Sequence, residues 1–211
     1  LDFFSGSAST AHALFDYSVR NNKKQRFIMV QLPVECPENS DEYKAGYKNI
    51  CEIGKERIRR AGKKIKEENP YTTKDLDIGF RVLKVDESNM KDVYYAAGDY
   101  TQDLVSMLES NVKPDRTDLD LLFGCLLDWG LPLSLPYTSE TIEGCTVHTY
   151  NDGDLIACFD EDIPDSVIKT IAKKQPLRAV FRDSSFANSP SKINVGEVFK
   201  LLAPDTRVKV I

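Results

Sequence analysis

The order of elements at the start of the chain restricts its fold more than any other feature. Leu1-Asp2-Phe3-Phe4 reads as the end of a buried strand, and Ser5-Gly6-Ser7-Ala8-Ser9-Thr10 is small throughout. From Ala11 to Arg20, the residues Ala11, Leu14, Phe15 and Val19 fall on one helical face. Lys24 to Leu32 holds the apolar run Phe27-Ile28-Met29-Val30, bounded by Asn21-Asn22 and Pro33, which suits a strand covered on both faces of a parallel sheet. Strand, tight turn, helix and strand make a β-α-β unit. Gly6 is its pivot, because a residue without Cβ tolerates positive φ and lets a ligand approach the backbone.

The same alternation continues. A helix is predicted from Asp41 to about Glu68, with Tyr43, Tyr47, Ile50, Ile53, Arg57, Ile58, Ala61 and Ile65 along one side and charge on the others. Asn69-Pro70-Tyr71 ends it, and Leu76 to Val85 alternates like a third strand. Three strands and two helices in this order predict half of a doubly wound sheet. Asp86 to Asp99 is polar and broken, which places a boundary there and gives two domains, 1–88 and 89–211.

The second domain reads as a separate α/β unit. Helices are expected near Thr101–Ser110 and Asp115–Trp129, the second with an apolar face of Leu119, Leu122, Phe123, Leu126 and Leu127 and with Trp129 in the core. Leu133–Thr141, Cys145–Tyr150 and Asp154–Phe159 form a meander with turn signals at Glu143-Gly144 and Asp152-Gly153. Pro164 starts a helix that turns Val167, Ile168, Ile171 and Ala172 inward, and the strand Leu177–Phe181 follows. Asn188–Asn194 reads as a loop, Val195–Leu202 as a helix and Thr206–Ile211 as a last strand.

Composition excludes several classes. With 28 basic against 33 acidic residues the net charge is −5, so nucleic acid is not bound through bulk positive charge and any DNA contact is local. No apolar run reaches the about 20 residues of a membrane-spanning helix. Cys36, Cys51, Cys125, Cys145 and Cys158 are odd in number and contain no C-x-x-C pair, which fits a reducing cytoplasm better than a disulfide framework or a zinc knuckle. Asp160-Glu161-Asp162 reads as the acidic lead-in to a helix rather than a metal site. No metal is expected, and neither His12 nor His148 has an implied Ser or Cys partner, which removes support for a hydrolase.

By spacing alone, Gly6-x-Ala8-x-x-Ala11 is a degenerate dinucleotide fingerprint, and a tight turn without any ligand fits the same residues. The wider string Asp2-Phe3-Phe4-Ser5-Gly6-Ser7-Ala8-Ser9-Thr10-Ala11-His12-Ala13 resembles the S-adenosylmethionine motif of amino-methylating DNA methyltransferases. Arg26–Pro33 and Ile53–Gly62 are similar to the modification subunit of type III restriction-modification systems, and Asp154–Asp160, Pro176–Asp183 and Lys192–Asn194 resemble that family's C-terminal domain. The resemblance implies a partial Rossmann-like methyltransferase sheet followed by a smaller C-terminal α/β domain, and adenine N6 methylation of double-stranded DNA with S-adenosylmethionine. It implies a cofactor set of Asp2, Phe3, Phe4, Ser5, Gly6, Ser7, Thr10 and Gln31, with Asp2 on the cofactor's amino group and Phe4 and the Ser5–Ser7 backbone at its methionine end.

Ala8 stands where the wider class prefers Gly, and Gln31 where an acidic residue usually meets the ribose hydroxyls. The family's catalytic D-P-P-Y-type tetrad lies upstream of its cofactor motif and does not occur in this chain, so no catalytic residue is assigned. Asn69-Pro70-Tyr71 mimics it without the second proline and in the wrong order. A strand at residue one, with no Met before it, is accordingly expected to be the start of a C-terminal fragment. Implied partners are a second modification subunit and a restriction subunit. Two other readings stay open, a fragment of a dinucleotide-binding oxidoreductase and a protein-interaction module. The basic stretch Lys55, Arg57, Arg59, Arg60, Lys63, Lys64 and Lys66 is either a DNA-phosphate contact or a solvated helix face.

Overall fold

The computed structural model of the chain describes residues 1–91, 111–186 and 189–211. It divides into two compact units, Leu1–Leu83 and Lys84–Ile211, so the second holds more of this chain than the first. The helix expected near Thr101–Ser110 lies outside the described residues. Among the described residues no helix is long and apolar enough to cross a membrane.

The first unit is built on two helices. Helix α1, Ser9–Asn21, buries Ala11, Phe15 and Ser18, and Asn22 ends it in the left-handed conformation with φ 48°. Asn can adopt that conformation at modest cost, which is why the Asn21-Asn22 pair stops the helix. The long helix expected from Asp41 is in fact two. A single turn, α2 (Asp41–Lys44), is followed by Gly46 at φ 97°, and α3 (Ile50–Glu68) begins anew at Asn49, whose side chain accepts the Glu52 amide at 3.1 Å. A positive-φ glycine and a fresh N-cap cannot lie inside one continuous helix.

Along α3 the buried residues are Gly54, Ile58, Ala61, Gly62 and Ile65, of which Ile58, Ala61 and Ile65 share a core with Ala8, Ala11 and Phe15 of the α1 region. Three of those five are small. Phe27, Met29, Leu76, Ile78 and Phe80 complete this core from extended segments, and Phe15 meets Phe27 edge-on at 5.9 Å.

These segments correct two expectations. Residues 27–32 are not covered on both faces, since Phe27 and Met29 turn inward while Ile28, Val30 and Leu32 are exposed. Leu76–Phe80 alternates as predicted, but residues 81–85 are all exposed, and among the described residues the segment joins no ladder. Among the described residues of this unit, strand-like pairing consists of isolated bridges, Asp2 with Met29 in parallel and Glu35 with Asn49 antiparallel. Period-two burial needs only one covered face, whereas a ladder needs a neighbouring strand, and the sequence pattern reports the first.

The second unit is a five-stranded mixed sheet in sequence order, made of β1 (Tyr137–Ile142), β2 (Cys145–Tyr150), β3 (Leu155–Cys158), β4 (Arg178–Phe181) and β5 (Arg207–Val210). The first two pairings are antiparallel and the last two parallel. Helix α4 (Asp118–Asp128) precedes the sheet, α5 (Asp165–Lys173) joins β3 to β4, and α6 (Ser189–Leu202) joins β4 to β5. Side chains alternate across the sheet. Val147, Ile156, Cys158, Ala179 and Phe181 share one core with Val167, Ile168 and Ile171 of α5 and with Val195 and Phe199 of α6. Tyr150, Leu155, Ala157 and Val180 share the other with Leu121, Leu122, Cys125 and Leu126 of α4.

Local chemistry explains these elements. Glu143 and Gly144 both have positive φ, 50° and 89°, as a two-residue hairpin turn of the primed kind requires. Thr117 and Asp120 form a reciprocal capping box at the start of α4. On α4 the buried set is Leu121, Leu122, Cys125 and Leu126, while Leu119 and Leu127, expected inside, are exposed. All four residues expected to be inward on α5 are buried. Residues 189–194, expected in a loop, are helical: α6 already starts at Ser189, with Pro190 in its first turn, a position where the missing N–H does no harm.

Candidate functional site

The site is built on the parallel contact between the first residues and the segment at Met29. Asp2 donates its amide to Ile28 O at 2.9 Å and accepts the Val30 amide at 2.8 Å, and Ser5 N–H reaches Val30 O at 3.3 Å. Past Phe4 the backbone turns sharply. Gly6 sits at φ 50° and Ala8 at φ 61°, and the Ala8 amide closes the turn onto Ser5 O at 2.7 Å. Ala8 is thus a non-glycine residue in the left-handed region, which supplies a backbone reason for glycine being preferred there.

The sequence-derived residues come together here. Asp2 Oδ1 accepts the Phe4 amide at 3.2 Å and Oδ2 accepts the Thr10 hydroxyl at 2.8 Å, so its carboxylate spans the turn. Gln31 Oε1 accepts the Gly6 amide at 2.8 Å, and its Nε2 donates to Leu32 O at 3.0 Å. Gln31 therefore braces the turn from the neighbouring segment and keeps one amide N–H beyond these bonds. Phe3 and Phe4 expose 63% and 87% of their surface, leaving apolar area beside the turn. Helix α1 starts without a side-chain cap hydrogen bond and without an acidic residue of its own in the first turn, so no side chain caps its leading N–H groups.

Two residues of α3 that spacing did not assign to the turn complete it. Arg57 Nη1 donates to Ser7 Oγ at 2.8 Å and also to Ser9 Oγ. Gly54 faces the turn, and a Cβ there would make ordinary contacts, 3.4 Å from Gly6 O and 3.5 Å from Ala8 Cβ. The available signal was position: Gly54 stands four residues before Ile58, on the apolar face of the helix. Beside Arg57 an open groove of about 370 Å³ runs between α1 and α3, lined by His12, Tyr47, Ile53, Glu56 and Arg60 among others.

Most of the basic stretch is paired within its own helix. Lys55 meets Glu52, Arg59 and Arg60 meet Glu56, Lys63 meets Glu67 and Lys64 meets Glu68. The Arg60 hydrogen bond, with help from Arg59, holds the Glu56 carboxyl below its ordinary range. That arrangement favours a solvated, self-neutralised helix face. Asn69-Pro70-Tyr71 is the end of α3: Asn69 caps it, its carbonyl accepts the Thr73 hydroxyl at 2.7 Å, and Tyr71 is almost fully exposed.

In the second unit His148 does have a serine partner. Ser139 Oγ lies 2.8 Å from His148 Nδ1 across the β1–β2 pair, and Asp118 Oδ2 lies 3.5 Å from Nε2. The order is the reverse of a hydrolytic triad, in which serine takes Nε2 and the carboxylate Nδ1; the buried ring bonds β1 to β2 through Ser139, while its Nε2 makes no hydrogen bond among the described residues. Asp160 accepts the Thr146 amide and so fixes the start of β2. Among the described residues no group of three His, Cys, Asp or Glu is placed to hold a metal ion. Trp129 is partly buried against the α4 core, with Arg178 and Lys209 over its ring at 5.7 and 5.8 Å.

No family model matches the chain. Curated relatives do. The chain is 29% identical over 96% of its length to the EcoP15I Mod subunit of Escherichia coli, a type III restriction-modification enzyme. It is 41% identical over 38% of its length to the StyLTI Mod subunit of Salmonella typhimurium, and 30% identical over 72% to the EcoPI Mod subunit of Escherichia phage P1. The matched regions make up 30%, 12% and 22% of those three proteins, so the chain spans under a third of the relatives it matches. Over nearly all of its own length, the chain is a relative of the type III restriction-modification Mod subunits.

Proposed function

We propose that the first unit is the cofactor-binding part of an adenine-N6-specific DNA methyltransferase that uses S-adenosylmethionine and serves as the modification subunit of a type III restriction-modification system. The observation that carries this reading is the turn itself. Two left-handed residues, Gly6 and Ala8, open the backbone, the Asp2 carboxylate stands at its entrance, and an uncapped helix begins immediately beyond. The parallel contact of Asp2 with Met29, with α1 between them in sequence, supports a Rossmann-like half-sheet, and the Mod-subunit relatives support the reaction class.

The residues fit the group they would hold. Asp2 is a carboxylate for the cofactor's ammonium, and the leading N–H groups of α1 suit its carboxylate, which the helix dipole also favours. Ser5, Gly6 and Ser7 present backbone to the methionine end, Phe3 and Phe4 present apolar surface, and Thr10 keeps Asp2 oriented through its hydroxyl. The remaining Gln31 N–H suits a ribose hydroxyl. When bound, S-adenosylmethionine supplies an electrophilic methyl group.

The chain's own contribution is to bind and orient. Gripping the extruded adenine requires a polar pocket of the D-P-P-Y type, which residues 1–211 do not encode. The reading therefore assigns the base pocket and most of the contact with double-stranded DNA to other parts of the full-length protein, in a cytoplasmic complex with a second modification subunit and a restriction subunit.

The test is transfer of a labelled methyl group to unmethylated DNA. The full-length protein is expected to deposit label at adenine N6, and residues 1–211 alone to deposit none with cofactor in excess. Label on cytosine, or turnover by residues 1–211, would contradict the assignment.

A further inference from the structure

Arg57 is set apart from its neighbours on α3. Arg59 and Arg60 both bind the Glu56 carboxylate, whereas Arg57 turns one guanidinium nitrogen onto two hydroxyls of the turn, Ser7 Oγ at 2.8 Å and Ser9 Oγ. These serines flank Ala8, the left-handed residue at φ 61° that precedes α1. An alanine in that region is held against its intrinsic preference, so the surroundings must restrain it. Gly54, one helical turn before Arg57, faces Gly6 and Ala8, where an added Cβ would reach ordinary van der Waals contact, and Arg57 then fastens the turn from the same helix.

We propose that Arg57 is a positioning residue for cofactor binding: by bridging Ser7 and Ser9 it fixes the Gly6–Ser9 backbone in the shape that receives the amino-acid end of S-adenosylmethionine. The inference rests on the cofactor reading above and assigns α3 a part in it. The bridge bonds Ser7 and Ser9, whereas Gln31 meets the turn only at the Gly6 amide, so the bridge bears chiefly on the amino-acid end of the ligand.

The experiment measures the affinity of the full-length protein for two probes, S-adenosylmethionine and 5′-methylthioadenosine, which keeps the nucleoside and thioether but lacks the amino acid. Arg57→Ala is expected to weaken S-adenosylmethionine binding by about two- to tenfold, the worth of one or two hydrogen bonds, and to leave methylthioadenosine unchanged. Arg57→Lys, which keeps a donor at the same place, is expected to recover part of the loss. In a background carrying Ser7→Ala and Ser9→Ala, Arg57→Ala is expected to add nothing further.

Equal losses for both probes would overturn the proposal, because they would mean general damage to the unit. So would an undiminished Arg57→Ala loss in the background without the two hydroxyls, which would mean that Arg57 acts on the ligand directly. Unchanged affinity in Arg57→Ala, with the unsubstituted protein binding normally, would overturn this inference alone. An unsubstituted protein that binds no S-adenosylmethionine would overturn the cofactor reading, and this inference with it.

Discussion

Asp2 is held at both carboxylate oxygens, by the Phe4 amide and the Thr10 hydroxyl, before any ligand arrives. A carboxylate fixed in this way loses little freedom on meeting a cation, which is the physical content of preorganisation. The same economy of space governs α3, where a Cβ on Gly62 would stand 2.8 Å from Ile78 Cβ. Gly62→Ala is therefore expected to displace residues 76–80 and to destabilise the first unit by about 1–3 kcal/mol, read from chemical denaturation; an unchanged midpoint would mean that this segment yields freely. The cysteines also differ by surroundings. Burial pushes the Cys125 thiol up to about 11 and that of Cys158 up to about 12, and raises Cys145 as well. Because the thiolate is the reactive form, alkylation of the native protein at mildly alkaline pH is expected to label partly exposed Cys36 well before those three. Rapid labelling of Cys158 would contradict the buried position of β3.

At the scale of elements, the second unit was legible because its signals are local. A Glu-Gly turn, a meander, a Pro-initiated helix and short apolar strands each specify themselves within a few residues, and their bounds lie close to the structure except at β1, which starts at Tyr137 rather than Leu133, and at the last helix, which starts at Ser189 rather than Val195. The first unit was less so. Its alternating segments Phe27–Leu32 and Leu76–Val85 carry strand periodicity, but pairing depends on a neighbour that local sequence does not describe. The break at Gly46 was hidden because Tyr43, Tyr47 and Ile50 keep helical spacing across it. On α4 the apolar residues outnumber the places in the core, so sequence could not say that Leu119 and Leu127 stay outside. The site shows the same division: Asp2, Gly6 and Thr10 follow from a string, whereas Arg57 lies some fifty residues away and enters only through helix packing. At the hairpin, Gly144→Ala forces a side chain into φ 89° and is expected to cost about 1 kcal/mol, seen as a lower melting temperature of residues 84–211. No change would mean that the turn relaxes to another type.

At the scale of the molecule, each unit has its own core, and the second combines an open five-stranded sheet with helices on both faces. Residues 84–211 are accordingly expected to fold by themselves with one cooperative transition. Loss of that transition on removal of residues 1–83 would contradict two independent units. The net charge of −5 and the self-paired charges of α3 give this chain little general attraction for DNA, in keeping with the cofactor-holding role proposed for it. That central claim is tested most directly by titrating the full-length protein with S-adenosylmethionine and with NAD, unsubstituted and as Asp2→Ala. The account predicts binding of S-adenosylmethionine and not NAD, weakened about ten- to a hundredfold by Asp2→Ala, the worth of a hydrogen bond between charged groups at about 1.5–3 kcal/mol. Equal affinity in the two proteins, or binding of NAD in place of S-adenosylmethionine, would contradict it.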